Sequence, residues 1–308
     1  MLSRVLSSPA VRVALGLVAL GFLGYGVARN WADTTAALAR LSPWSVAGAL
    51  AAVLAGQFCM LLAWREILAG LGTRLPLAVA GRILFLGQLG KYVPGSVWAY
   101  AAMMELGRHH GSPPRRTFAC ISLGLVISLG VALSIAAATA REAFAEAWYV
   151  LLLIPVIAVC LHPRVLTWGL NLALRLARRE PLETVLPGRS LLLAVGWTAL
   201  GWLVYGVHIV LLAGTGYPVS TGAYAFAWVA GLLTFVIPAG VGVREGALAV
   251  VLGPLVGPGL ALVTGIVSRL VFTLSELIAA GGFFLLARRP KRVEVDAPEG
   301  VGVHSLDS

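Results

Sequence analysis

Charge is scarce in this sequence. Asp, Glu, Lys and Arg make up 12% of its 308 residues, where a soluble domain carries about 25%. That scarcity excludes an ordinary water-facing globule and points to a polytopic membrane protein. Acidic side chains are rarer than basic ones, 13 against 23, for a net charge of +10. The basic excess does not make a nucleic-acid binder, because most Lys and Arg sit in short segments between long apolar runs, the pattern of positive-inside bias. Cysteine is nearly missing: Cys59, Cys120 and Cys160 lie far apart in apolar runs with no pair at ligand spacing, and they read as small buried residues. Signatures of catalysis are missing too. No Gly-x-Ser-x-Gly elbow, P-loop or His-Glu-x-x-His pair occurs, and the carboxylates show no catalytic pairing. No enzyme activity, cofactor, metal or nucleic-acid partner is therefore expected.

Apolar length is what the chain does have. A spanning helix takes about 20 apolar residues, and spans are expected near residues 11–28, 44–68, 117–140, 148–161, 191–213 and 259–287. Arg4 and Arg12 precede the first span as they would in a signal peptide, but a small-x-small cleavage site is missing and further spans follow, so a retained helix is expected. Residues 30–41, with Trp31 and Trp44 nearby, suit a helix or loop at the interface. Residues 165–179 alternate apolar and Arg positions at helical spacing and read as a second surface helix.

Two further apolar segments, residues 76–111 and 217–255, are interrupted by glycine and proline. The first breaks at Gly90, Lys91, Tyr92, Val93, Pro94 and Gly95, and the second at Pro238, Ala239, Gly240, Val241 and Gly242. They correspond at an offset of 144 residues, which aligns Gly87 with Gly231, Leu89 with Leu233, Pro94 with Pro238 and Val97 with Val241. The same offset aligns Leu68, Ala69, Gly70 and Gly72 with Leu212, Ala213, Gly214 and Gly216. Paired broken segments in the two halves of a hydrophobic chain are the sequence pointer to a transporter's binding site.

Basic residues cluster at the N-terminus, at 65–74, 108–116 and 162–189, and in the tail, whereas the opposite face would hold Arg29, Arg40, Arg141 and Arg244. Both termini are therefore expected in the cytoplasm. On that assignment the two halves insert in opposite directions. The expected fold is an all-α polytopic membrane protein with an inverted structural repeat, about six spanning helices and two broken re-entrant hairpins, or eight helical segments if the hairpins count as spans. Its expected units are a first span with an interfacial helix (1–43), membrane repeat 1 (44–161), a basic cytoplasmic connector (162–189), membrane repeat 2 (190–287) and a disordered cytoplasmic tail (288–308).

Broken helices persist at membrane depth only where protein or a wet cavity satisfies their backbone. The helices that resume after Gly95 and Gly240 would present N–H groups to an anion such as a phosphate. Cations near the breaks fit that use: Lys91 before Pro94, and Arg244 beside Glu245 after Pro238. Charges at such depth are costly and mark pathways or pairs. Arg269 and Glu276, seven apart on one face of the last span, and Glu105 are further candidates. The plainer reading is that Lys91 and Arg244 pair with Glu105, Glu245 or Glu276 to join helices. Arg82 is expected to snorkel to the inner surface rather than touch a ligand, Tyr92 and Trp98 to pack or sit at the interface, and His208 to bond a neighbouring helix.

The stretches Gly90 to Trp98 and Pro238 to Gly246 resemble the lysylphosphatidylglycerol synthase transmembrane-region family, also called flippase-like domain proteins, and the likeness covers nearly the whole chain through Ala287. The resemblance implies a multi-pass protein of a bacterial cell membrane that translocates aminoacylated phosphatidylglycerol, and some relatives are linked with polyprenyl-phosphate sugars. It also implies membrane lipids as partners, with a second copy of the chain and a separately encoded lipid-modifying enzyme as further candidates. The soluble transferase domain of the best-known relative has no counterpart in these residues, so transport without synthesis is expected. The expected function is an integral membrane lipid translocase for an anionic or aminoacylated phospholipid or a polyprenyl-phosphate-linked lipid. Two alternatives stand beside it: a non-transporting scaffold for a lipid- or glycolipid-modifying enzyme, and a membrane glycosyltransferase working through Glu105 or Glu245.

Overall fold

The computed structural model describes residues 41–92, 98–143, 152–160, 162–176, 186–234 and 242–287, with positions 32, 35, 36 and 39 ahead of them. These residues form ten α-helices and one short 3-10 turn, with no strand among them. In chain order they are α1 (Pro43–Gly70), α2 (Leu77–Gln88), the 3-10 turn Leu89–Tyr92, α3 (Trp98–His109), α4 (Pro114–Ala143) and α5 (Leu153–Cys160). There follow α6 (Pro163–Leu176), α7 (Gly188–Ala213), α8 (Tyr217–Leu233), α9 (Val243–Val256) and α10 (Pro258–Leu286).

Four of these helices are long and apolar enough to cross a membrane, namely α1, Pro114–Thr139 within α4, α7 and α10. They match four of the expected spans. The expected span at 11–28 lies outside the described residues, and of that at 148–161 the structure describes Leu152 and the short helix α5. The interfacial segment 30–41 is described only at isolated positions, and the tail from 288 lies outside. The basic connector contains α6, an exposed helix whose Leu166 is buried.

Local chemistry sets the helix ends. Ser42 caps α1 by accepting from the Trp44 N–H, with Pro43 at the first helical position, where its missing N–H costs nothing. Pro114 and Pro258 open α4 and α10. The turns just before these two helices pass through positive-φ glycines, Gly111 and Gly257.

The halves correspond element by element. Moved by the offset of 144 residues, α4 would start at Pro258, which is the first residue of α10. By the same shift α1 falls on α7, α2 on α8 and α3 on α9. Packing follows this correspondence. Helices α1 and α7 run antiparallel along each other: Gly48 meets Leu211, Gly56 meets Gly201, and Gly70 meets Ser190. At the crossing a Cβ on Gly56 would stand 2.4 Å from the Tyr205 ring and 3.1 Å from the Gly201 carbonyl oxygen. Small residues there let two backbones close up, the usual device where lipid gives no hydrophobic drive for association. Helix α8 packs on α4, with Gly222 against Thr139, and α2 packs on α10, with Gly81 against Phe283. The hairpin arms α2 and α3 lie against each other, and so do α8 and α9.

Candidate functional site

A cavity of about 460 Å³ lies where these elements converge. Each of the eight corresponding helices contributes to it. Gln57 and Trp64 come from α1, Phe85 and Gln88 from α2, Tyr100 and Met103 from α3, and Ser128 from α4. The other half supplies Thr198, Trp202 and Tyr205 from α7, Tyr224 and Trp228 from α8, Arg244 from α9, and Phe272 and Glu276 from α10. Lys91 reaches it from the 3-10 turn that ends the first arm of hairpin one. The volume lies within the ~300–1,000 Å³ of small-molecule pockets, and the lining is the usual mixture of aromatic walls and a few polar groups.

The two cations nearest the breaks thus face one cavity from different halves, in different electrostatic settings. Lys91 Nζ lies 2.5 Å from Glu276 Oε1, and the Glu276 side chain is 8% exposed against 38% for Lys91. This pair ties hairpin one to α10. Arg244 has no carboxylate partner among the described residues. Its guanidinium lies 4.7 Å from the centre of the Tyr224 ring and 5.0 Å from that of Phe272, and it donates to the Tyr224 hydroxyl. Those two rings stack at 5.4 Å, and Trp202, Tyr205 and Trp228 extend the aromatic wall. The π faces replace part of the water that this guanidinium has lost.

Glu245 and Arg269 come together outside that lining. Arg269 Nη1 donates to Glu245 Oε1 at 2.7 Å, and the other oxygen, Oε2, accepts the Gly242 N–H at 2.6 Å. Gly242 has φ of +83°, and Glu245 at the third helical position closes the first turn of α9 as in a capping box. The N-terminus of α9 therefore already holds an anion supplied by its own side chain, where the sequence suggested N–H groups open to a phosphate. Burial explains the arrangement: Glu245 is 2% exposed, and a charge so placed is retained only with a partner and hydrogen bonds.

The remaining candidates separate from the cavity. Arg82 donates to the Ala287 carbonyl at 3.0 Å and lies over the Phe284 ring, so it holds the C-terminal end of α10 instead of reaching the surface alone. Glu105 sits exposed at the end of α3, outside the four spans, paired with Arg108 at 2.6 Å and His109 at 3.0 Å. Its hydrogen bond to Arg108 holds its carboxyl below the ordinary range. Trp98, the first residue of α3, is exposed. Gly90 lets hairpin one close, since a Cβ there would stand 2.8 Å from the backbone of Ala99. The Tyr92 side chain, Pro94, Gly95, Pro238 and Gly240 lie outside the described residues. His208 is fully buried, with one ring nitrogen on the Tyr205 carbonyl and the other 2.9 Å from Ser268 Oγ on α10, the interhelical bond expected of it.

Sequence reasoning missed Gln57, Trp64, Trp202, Tyr205, Tyr224, Trp228 and Phe272. A glutamine alone in a span was a signal within reach, because an amide in hydrocarbon needs a partner. The aromatics gave none, since nothing in an all-apolar helix marks which ring faces a cavity.

No curated protein matches the chain. The profile of the lysylphosphatidylglycerol synthase TM region matches residues 10–280. An all-helical membrane protein built around a cavity and matched over most of its length, this chain belongs to the lysylphosphatidylglycerol synthase transmembrane-region family.

Proposed function

We propose that this protein is a lipid translocase that carries the headgroup of an anionic, aminoacylated or polyprenyl-phosphate-linked lipid through the central cavity while the acyl or prenyl chains stay in the bilayer. The observation that carries this reading is that Lys91 and Arg244, one from each broken hairpin, line a single cavity at the junction of the two halves. A lipid phosphate needs charge-assisted donors once it leaves water, and cations kept at such depth are costly unless they serve a pathway or a pair.

Opposite insertion of the halves supplies the motion. The antiparallel α1 and α7 and the matched order of elements support two copies related by an axis in the membrane plane. Rocking one copy against the other would expose the cavity to each leaflet in turn. In this cycle Lys91 exchanges its bond to Glu276 for one to the phosphate as the headgroup enters, and Arg244 anchors the phosphate from the opposite wall.

The test is lipid movement in vesicles reconstituted with the purified protein. The expected result is that Lys91→Ala and Arg244→Ala together slow headgroup movement at least tenfold, about 1.4 kcal/mol in barrier. Equal rates for variant and parent would remove both residues from the mechanism. The second reading, a non-transporting scaffold, rests on the ion pairs Lys91–Glu276 and Arg269–Glu245, which join elements as structural bolts would. It predicts that the parent protein moves no lipid at all.

A further inference from the structure

The two halves are built alike but are not posed alike. On the offset of 144 residues, α3 and α4 of the first half correspond to α9 and α10 of the second. Helix α9 lies tight on α10. A Cβ on Gly265 of α10 would stand 3.2 Å from the Glu245 Cα of α9, Arg269 Nη1 is 2.7 Å from Glu245 Oε1, and the Arg244 guanidinium covers the Phe272 ring. Further along α9, Leu248 and Leu252 are buried.

Helix α3 leaves the matching face of α4 uncovered. Ile121, Gly124, Leu125 and Ser128 correspond to Gly265, Ser268, Arg269 and Phe272. These four residues of α4 are half-buried and line the cavity, whereas Gly265 and Ser268 are buried. Ala101, the counterpart of Glu245, is exposed, and so is Arg108, the counterpart of Leu252. Helix α3 does meet α4 beside their turn, where Gly107 packs on Thr117. The cavity thus reaches between α3 and α4, and at the equivalent place in the other half α9 shuts against α10.

Two copies of one unit in different poses imply a second state in which the poses are exchanged. There α3 closes on α4 and brings Ala101 to Ile121, as Glu245 now meets Gly265, while α9 moves off α10. On the orientation expected from charge, the gap now open lies in the cytoplasmic half of the membrane and the gap now shut in the outer half. The shut gap carries an ion pair that the open one lacks, since Ala101 and Leu125 stand where Glu245 and Arg269 would be. In a dry contact neither charge has water to turn to, so the pair stays together. Once a gap admits water, each charge is solvated and their attraction is largely screened.

We infer that Glu245 and Arg269 latch a second opening, between α9 and α10, which is shut here while the opening between α3 and α4 is open. The transport reading supplies what passes, a lipid headgroup, but the two openings do not depend on it. Cysteine labelling in vesicles holding the full-length protein, with Cys59, Cys120 and Cys160 replaced by alanine, tests the latch. A small methanethiosulfonate, which reacts with thiols in water, should modify Gly124→Cys at least tenfold faster than Ser268→Cys. A disulfide between Ala101→Cys and Ile121→Cys, formed with copper phenanthroline, should raise Ser268→Cys labelling at least tenfold, and a reductant should reverse the rise. Glu245→Gln keeps the side chain's length and removes its charge, so it should raise Ser268→Cys labelling at least fivefold without the disulfide. Equal labelling of the two single cysteines, a disulfide that does not form, or Ser268→Cys labelling that ignores it would each overturn the inference. Where the cross-linked chain does not fold, the Glu245→Gln chain decides, and unchanged labelling there overturns the inference as well. No arm reads lipid movement, so a labelling switch in a protein that moves no lipid removes the transport reading and leaves the latch.

Discussion

Arg244 and Lys91 differ in what each has to give up for a ligand. In the proposed transport, Lys91 would exchange one carboxylate for a phosphate, while Arg244 would add a phosphate to an aromatic seat it can keep. The bidentate fork of a guanidinium also matches phosphate geometry better than an ammonium does. Arg244→Lys is therefore expected to keep less than a tenth of the parent's transport rate while leaving thermal stability nearly unchanged, as scanning fluorimetry in detergent would show. Glu245→Ala should do the reverse of a site mutation. It strips the Gly242 N–H and Arg269 of their shared partner in a buried setting, and loss of one member of such a pair costs about 3–5 kcal/mol. A large fall in unfolding temperature checks it, and unchanged stability would contradict the role assigned to the pair. At this scale the sequence was only partly readable. It named Lys91, Arg244, Glu245, Arg269 and Glu276, because ionisable groups in apolar runs stand out. It offered Glu276 among three partners for Lys91, and the structure makes that pair, but it could not choose among the three or say that Arg269 meets Glu245, because those pairings depend on how helices distant in sequence pack.

The hairpins depend on how closely their arms approach. Gly90 sits where any side chain would run into the backbone of Ala99, with no flexible atom to yield. Gly90→Ala is expected to cost about 1–3 kcal/mol through overpacking and to lower transport with it. Gly281 in α10 has open space at the same test, so Gly281→Ala should be neutral or stabilising by up to ~1 kcal/mol, the usual gain for removing a helical glycine. Comparing the two variants separates a packing role from a general effect of added bulk. The elements themselves were legible in the sequence: α1, α4, α7 and α10 follow from apolar length, and the arms of both hairpins from the Gly/Pro punctuation between them. Their faces were not. The four long helices are apolar round nearly their whole circumference, so the turn of α1 that brings Gln57 and Trp64 to the cavity and Gly56 to Gly201 is set by the partner helix.

For the molecule as a whole, everything proposed rests on two halves that enter the membrane in opposite directions and share one cavity. The offset of 144 residues, drawn from a handful of identities, also maps the start of α4 onto the start of α10 and carries Gly111 to Leu255, close to the positive-φ Gly257. Antiparallel packing of α1 on α7 is what such a relation requires of equivalent helices. In that arrangement the turn between α3 and α4 and its counterpart between α9 and α10 face opposite sides of the membrane. His109 and Leu255 are exposed residues at these two turns. Single cysteines at these positions, probed with a membrane-impermeant maleimide in oriented vesicles, give the most direct measurement. Opposite insertion predicts that His109→Cys is labelled from the cytoplasmic side alone and Leu255→Cys from the outer side alone. Labelling of both from the same side would contradict the inverted arrangement and the route across the membrane built on it.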